Sequence, residues 1–334
     1  MTPARQTTAP QIEARETEVA PVDRTSGPAF AARAIGLRKV FGSTVAVNGI
    51  DLDVPNGSVL GMLGPNGSGK TTLIRMLLGL TRPSAGRAEL LGHPMPDGAS
   101  QTLPLVGALV EGPGFHPFLT GRENLRRVAA SEPMLTGPQI PVAVKVALDR
   151  VGLSDAADRR YRGYSLGMKQ RLGLAAALLL PRYLVVLDEP TNGLDPAGTR
   201  DVRRIIGELH ESGATVIVSS HLLAEVEATC THVAVLQSGS LVAAGELCSL
   251  LDTGGAGLVI VTPDVELALR TLREAGVTAY LGEGVEPAVV VGDDGPPAPE
   301  TISLLVRSGV AVYEARRSRP NLDELFAQLT EETG

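Results

Sequence analysis

The chain has 334 residues and a mass of 34.8 kDa, so two domains, or one large domain with an appendage, are expected. Apolar residues at 43% and charged residues at 20% exclude both a disulfide mini-scaffold and global disorder. A net charge of -7 and a pI near 5.4 give no overall electrostatic footprint for wrapping nucleic acid, but leave polyphosphate small molecules open.

Residues 1 to about 30 lack an apolar h-region and are rich in Thr, Pro, Ala, Glu and Arg, the composition of a disordered leader and not of a signal peptide. From Leu37 to about Leu250, apolar strand-like runs alternate with helical periodicity, the pattern of an α/β domain with a largely parallel sheet. Ser58 to Leu63 reads as a strand that leads into a glycine loop and then a helix carrying Leu73, Ile74, Leu77 and Leu78. Between Pro104 and Arg162 the pattern turns mostly helical, with breaks at Gly112-Pro113-Gly114 and around Pro133 to Pro141, which predicts a helical insert at about 104–165. Further strands are predicted at Tyr183 to Leu187, Ala214 to Ser219 and Val233 to Leu236, each a continuous apolar run suited to burial on both faces. The longest apolar run, Leu172 to Leu180, contains Gly173 and stops at Pro181, well short of the roughly 20 residues that span a bilayer. Cys230 and Cys248 stand far apart and outside any C-x-x-C pattern, which suggests neither a disulfide framework nor a zinc site.

A glycine-rich break at Gly254 to Gly257 opens a segment able to fold semi-independently. Its order is strand (Leu258 to Val261), helix (Val265 to Ala275), two strands (Val277 to Leu281, Ala288 to Val291), helix (Thr301 to Ser308) and strand (Val310 to Ala315). That βαββαβ order predicts a split-βαβ sandwich. A last helix is expected from Asn321, capped reciprocally with Glu324 and striped by Leu322, Leu325, Phe326 and Leu329. The divisions are therefore a leader at 1–30, an α/β domain at 31–250 and an accessory domain at 251–334.

The chemistry concentrates in three places. Gly64-Pro65-Asn66-Gly67-Ser68-Gly69-Lys70-Thr71 matches G-x-x-x-x-G-K-[ST] between a predicted strand and a predicted helix. Glycines let backbone N–H groups face phosphate oxygens, Lys70 reaches the terminal phosphates, and Thr71 offers a hydroxyl to Mg²⁺. With Thr72, this loop is the expected ATP-binding set. Asp188 and Glu189 follow an apolar strand where a P-loop enzyme keeps its metal carboxylate, so Asp188 is expected to serve Mg²⁺ and Glu189 to polarise a water. Ser165-Leu166-Gly167-Met168-Lys169-Gln170-Arg171 heads an Ala/Leu helix, and a serine with open N–H groups at a helix start is either a plain N-cap or a second anion site.

This combination resembles the nucleotide-binding subunits of ABC transporters over about Leu37 to Leu250. The resemblance implies a P-loop NTPase of ABC type. It puts Phe41 where an aromatic stacks on adenine, and Ser165 and Gly167 in the signature motif that contacts the γ-phosphate held by a facing subunit. Asn192-Gly193-Leu194-Asp195 resembles the loop communicating between sites, and His221 matches a histidine on the γ-phosphate. Catalysis is thus expected of Lys70, Glu189 and His221, nucleotide contact also of Asp195, and metal binding of Thr71, Asp188 and Glu111. Glu111 departs from the family's usual glutamine, as either a carboxylate beside Mg²⁺ or an exposed loop residue.

The stretch from Glu111 to Leu125 is similar to that of ABC-2 type exporters, especially antimicrobial-peptide and drug efflux ATPases. That similarity implies a separate ABC-2 type membrane permease as partner and a location peripheral to the cytoplasmic face of the membrane. Head-to-tail pairing with a second copy, or with a paralogous ATPase, is also implied, and no nucleic-acid partner. Phe115 and Phe118 are either the floor of a groove for a permease helix or core of the insert. The alternatives are a soluble ABC-type ATPase acting on ribosomes or DNA, and a P-loop kinase, which leaves the Ser165 and His221 loops without a role. The transported cargo is not legible in this chain.

Overall fold

The computed structural model describes residues 28–110, 114–252, 257–282, 286–292 and 295–318. The expected leader up to residue 27, Glu111 and the expected last helix from Asn321 therefore lie outside the described residues.

Two long strands, β1 (Phe30–Phe41) and β2 (Thr44–Pro55), pair antiparallel across a tight turn at Gly42 and Ser43. Next come β3 (Val59–Leu63), α1 (Lys70–Leu77), β4 (Ala85–Leu90), β5 (His93–Met95), α2 (Ala99–Thr102) and β6 (Val106–Leu109). A helical stretch supplies α3 (Gly121–Ala130) and α4 (Ile140–Arg150). It is followed by α5 (Leu166–Ala177), β7 (Leu184–Asp188), α6 (Pro196–Glu211), β8 (Thr215–Ser220), α7 (Leu223–Thr229), β9 (His232–Gln237), β10 (Ser240–Glu246) and α8 (Leu247–Asp252).

The central sheet runs β10-β9-β3-β8-β7-β6, parallel from β9 to β6, with β10 antiparallel at one edge. A second sheet, β2-β1-β4-β5, is antiparallel. Alternation along the central strands feeds two different cores. Val59, Leu63, Val185, Leu187, Val216 and Val218 point into a core shared with α5, α6 and the helical stretch. Leu60, Met62, Leu184, Val186 and Ile217 point the other way, onto α1 and the antiparallel sheet. Burial on both faces is why these strands read as unbroken apolar runs.

Val106–Leu109 differs from expectation, because the sequence pattern assigned it to the helical insert whereas it is the edge strand β6, in parallel register with β7. The reason is a close approach. A Cβ on Gly107 would stand 2.2 Å from the Ala177 carbonyl oxygen, so the end of α5 lies against this strand and only glycine fits. Beyond it, Thr120 caps α3 in a capping box, its amide donating to Glu123 Oε2 (2.8 Å) and its hydroxyl accepting from Glu123 N–H (3.1 Å). The bond from the Thr120 amide is the main reason the Glu123 carboxyl sits below its ordinary range. Phe115 packs into the insert core, edge-on to Tyr161 at 5.4 Å, whereas Phe118 is 59% exposed beneath the Arg162 guanidinium. An ion pair from buried Arg182 to half-buried Glu132 at 2.6 Å joins the segment ahead of β7 to the loop after α3.

The C-terminal part holds β11 (Gly257–Val261), α9 (Val265–Glu274), β12 (Ala279–Leu281), β13 (Ala288–Val291), α10 (Ala298–Arg307) and β14 (Glu314–Ser318). The order β12-β13-β11-β14, antiparallel throughout, is the split-βαβ arrangement. Its own core gathers Ile260, Val289 and Val291 from the sheet with Ala268, Leu272 and Leu305 from the helices. The last strand begins later than the expected Val310, because Val310 and Val312 pack against this core as the chain enters the sheet.

Candidate functional site

Parallel strands deliver their carboxyl ends to one edge of the central sheet, and the glycine loop, the acidic pair and His221 lie together there. β3 ends at Leu63 and releases the phosphate loop, in which Pro65, Asn66 and Gly67 are exposed. Gly64 and Gly69 adopt positive φ values of 152° and 104°, and added Cβ atoms would stand 2.2 Å from the Leu236 carbonyl and 2.5 Å from the Ala46 carbonyl. Strands β9 and β2 thus press on the loop from either side, which leaves glycine as the residue that fits. Ser68 Oγ is buried without a hydrogen-bond partner among the described residues. Lys70, only 5% exposed, opens α1 and folds back over the loop, its ammonium donating to the carbonyls of Gly64 (2.6 Å) and Pro65 (3.2 Å). Thr71 and Thr72 follow in the first turn of α1, both half-buried.

β7 lies beyond β8 from β3 and ends at Asp188. Glu189 follows with a φ of 47°, left-handed backbone that costs a non-glycine residue about 1–2 kcal/mol. Its carboxylate spans two neighbours: Oε1 lies 3.6 Å from Lys70 Nζ, and Oε2 lies 2.9 Å from His221 Nδ1. His221 stands just past the end of β8. Lys70, Glu189 and His221 therefore form one contact cluster with Asp188 adjoining it, although they follow three different strands, β3, β7 and β8.

Three further contributors are singled out by no motif of the sequence. Ser219 on β8 donates to Asp188 Oδ1 (2.6 Å) and accepts from the Glu189 amide (2.9 Å). Gln170 on α5 donates to the Glu189 carbonyl at 3.1 Å. Glu225 on α7 accepts from Thr191 Oγ1 (2.9 Å) and Ser220 Oγ (3.1 Å), tying the loop after β7 to the end of β8. The only signal available in the sequence was position, since Ser219 and Ser220 end the strand that lies beside β7.

A second group lies around the start of α5. Ser165 caps the helix, accepting from Met168 N–H at 3.2 Å. Tyr164 is anchored behind it by a bond to the Ala156 carbonyl (2.7 Å), and burial pushes its phenol upward. Leu166 is 65% exposed, yet its side chain would stand 2.3 Å from a Cβ on Gly193. Asp195 caps α6 through Gly198 N–H (2.8 Å) and lies 4.0 Å from Arg171 Nη2. Among the described residues, no polar contact of Ser165 or Asp195 reaches the phosphate loop; a Cβ on Gly167 would stand 3.2 Å from Leu194 Cδ2, so this turn faces the loop after β7 instead. Phe41, at the free end of the β1–β2 hairpin, is 51% exposed with Lys39 Nζ 4.9 Å from its ring centre.

No described helix is long and apolar enough to cross a membrane. The ABC transporter family profile matches residues 47–192. The chain is 35% identical over 295 residues to the bacitracin transport ATP-binding protein BcrA of Enterococcus faecalis, covering 88% of this chain and 94% of that one. It is 36% identical over 306 residues to the Nod factor export ATP-binding protein I of Cupriavidus metallidurans, covering 88% and 95%. A solved structure of an ATP binding subunit of an ABC transporter superposes with a TM-score of 0.61 at 25% identity, covering 67% of this chain and 93% of that one. Similarity that runs through nearly the whole of both relatives, on top of a phosphate loop facing an acidic pair, leaves one conclusion: the chain belongs to the ATP-binding proteins of ABC transporters and is an ATPase.

Proposed function

We propose that this chain powers export of a substrate through a separate ABC-2 type membrane permease, bound at the cytoplasmic face of the membrane, by hydrolysing ATP with Mg²⁺ in a head-to-tail pair of ATPase subunits. The observation that carries the chemistry is the meeting of Lys70, Glu189 and His221 beside Asp188. The names of the relatives, which speak of transport and export, carry the direction. They also favour a membrane partner over a ribosome or DNA.

The loop from Gly64 to Thr72 fits a triphosphate. Its backbone is pinned by β2 and β9, a buried hydroxyl on Ser68 is unpartnered among the described residues, and a buried ammonium stands at its end. Phe41 offers an exposed ring for the adenine. Thr71 and Asp188 supply a hydroxyl and a carboxylate, the hard oxygens Mg²⁺ takes alongside phosphate ligands. When bound, Mg²⁺ neutralises charge developing on the phosphate oxygens. Lys70 then leaves the carbonyls of its own loop for the terminal phosphates. Glu189 orients a water and takes up its proton, and His221 holds Oε2 of that carboxylate so that Oε1 faces the water. Ser165 and Asp195 bond within their own helix starts, Gly167 follows Ser165 in the first turn of α5, and the exposed Ser165 beside exposed Leu166 suits contact with the nucleotide of a facing subunit. Glu111 belongs to this proposal as a metal-side residue in place of glutamine.

Glu189→Gln keeps the side chain's size and removes its charge. The expected result is retained ATP binding, turnover lowered about a thousandfold, and accumulation of an ATP-dependent dimer on size exclusion with the permease present. Turnover at the parent rate would overturn the assignment of Glu189, and a strictly monomeric ATP-bound state would overturn the shared site.

A further inference from the structure

We propose that Ser219 is a positioning residue whose single hydroxyl sets the two carboxylates of the site, Asp188 and Glu189, relative to one another. The inference rests on the roles proposed above for those carboxylates.

Ser219 is fully buried, and its hydroxyl touches both residues of the acidic pair, accepting from the Glu189 amide at 2.9 Å and donating to Asp188 Oδ1 at 2.6 Å. The direction of these bonds follows from chemistry. A backbone amide only donates, so the hydroxyl accepts there, and its one proton is left for Asp188. Asp188 is thereby held as an acceptor, with one oxygen fixed and its carboxylate plane set by β8.

The same bond governs Glu189. Its left-handed φ of 47° is anchored at both ends of the residue. The N–H goes to Ser219, while the carbonyl accepts from Gln170 Nε2 (3.1 Å) and from the Asn192 amide (3.1 Å). Removing the hydroxyl leaves two buried polar groups without their partner and frees one end of a backbone conformation that an L-residue seldom keeps unaided. The Glu189 carboxylate, 3.6 Å from Lys70 and 2.9 Å from His221, then swings with its backbone. Lys70, the glycine loop and Phe41 have no bond to Ser219, so nucleotide affinity without metal depends on groups that the change leaves in place.

The neighbouring serine separates this role from strand-end packing. Ser220, next on β8 and equally buried, turns its hydroxyl to Glu225 and makes no bond to the acidic pair. Two adjacent serines thus serve opposite sides of one strand, and only Ser219 faces both carboxylates.

The test uses the full chain. Ser219→Ala is expected to lower kcat about 10- to 100-fold at saturating ATP and Mg²⁺, the range seen when groups that orient metal ligands are removed, with KM for ATP rising only as far as the lost Mg²⁺-dependent affinity. Titration with a fluorescent ATP analogue gives a readout independent of turnover. Affinity in EDTA should match the parent protein, while the gain in affinity on adding Mg²⁺ should shrink about tenfold or more. Ser219→Thr, which restores a hydroxyl on a strand-favouring residue, should recover most of both. If Ser219→Ala does not fold by circular dichroism, Ser219→Cys carries the same expectation, because a thiol of similar size makes far weaker hydrogen bonds. Parent-like kcat and Mg²⁺ dependence in the Ala or Cys variant overturns the proposal, as does a loss in Ser219→Thr equal to that in Ser219→Ala. Glu189→Gln measured alongside tells the two failures apart: an inactive Glu189→Gln beside a fully active Ser219→Ala removes only the role of Ser219, whereas a fully active Glu189→Gln removes the reading beneath it.

Discussion

The central sheet and the C-terminal sheet each pack against an apolar core of their own, yet only the central one has the glycine loop and the acidic pair at its edge. In the central sheet five neighbouring strands run the same way, so their carboxyl ends lie along one edge and bring Leu63, Asp188 and Ser220 within a few residues of one another in space. In the C-terminal sheet each neighbour runs the opposite way, so each edge mixes strand starts with strand ends. Helices cover one face of it, and the other face shows Tyr280, Val259 and Arg316 in a cross-strand row. Parallel order concentrates loop ends, and antiparallel order disperses them.

The contrast breaks most sharply at Lys70. Lys70→Ala removes a buried ammonium from the phosphate loop and should lower ATP turnover at least a hundredfold, while far-ultraviolet circular dichroism stays that of the parent. Turnover within a few-fold of the parent would mean that the chemistry does not sit at this edge. A matched pair of core truncations sharpens the comparison. Leu187→Ala, in the core beneath the site, should destabilise the chain by about 2–5 kcal/mol in urea denaturation and depress ATPase activity as well. Ile260→Ala, fully buried in the separate C-terminal core, should cost a similar amount in a transition of its own while ATPase activity at 25 °C persists. A single shared transition in both variants would show that the two cores unfold as one.

The smallest effect distinguishes interior from rim within the larger region. Burial pushes the Cys230 thiol up to about 12, whereas Cys248 is exposed. Because the thiolate is the reactive form, native protein at pH 8 should alkylate at Cys248 alone, and both cysteines should react in urea, as mass spectrometry of peptides would show. Labelling of Cys230 in native protein would mean that α7 opens from β3.

What was legible in the sequence is what the chain writes contiguously. The glycine loop is legible because phosphate binding demands glycine and lysine at fixed offsets along one turn, and the acidic pair because it ends an unmistakable buried strand. Ser219, Gln170 and Glu225 act only through neighbours brought by folding, and a serine at a strand end looks like any other. β6 was lost for a related reason: it is four residues long, begins just after a proline turn, and its glycine answers to the backbone of α5 rather than to any turn of its own. The C-terminal order was legible because its strands and helices alternate with clear turn residues. Its last strand began late because two valines that look like strand belong to the core at its entrance.

Strands such as β7 and β8 give odd and even residues to separate cores, and this has a genetic consequence. Exchanging one apolar side chain for another of similar volume disturbs a single core and is tolerated at modest cost. Deleting one codon within β7 is a different event, since it would turn Val185 and Leu187 toward the side now held by Leu184 and Val186, and draw Asp188 one position out of line with Ser219. Point substitutions should therefore scatter through these strands among related chains, while changes of length should collect in the loops between them.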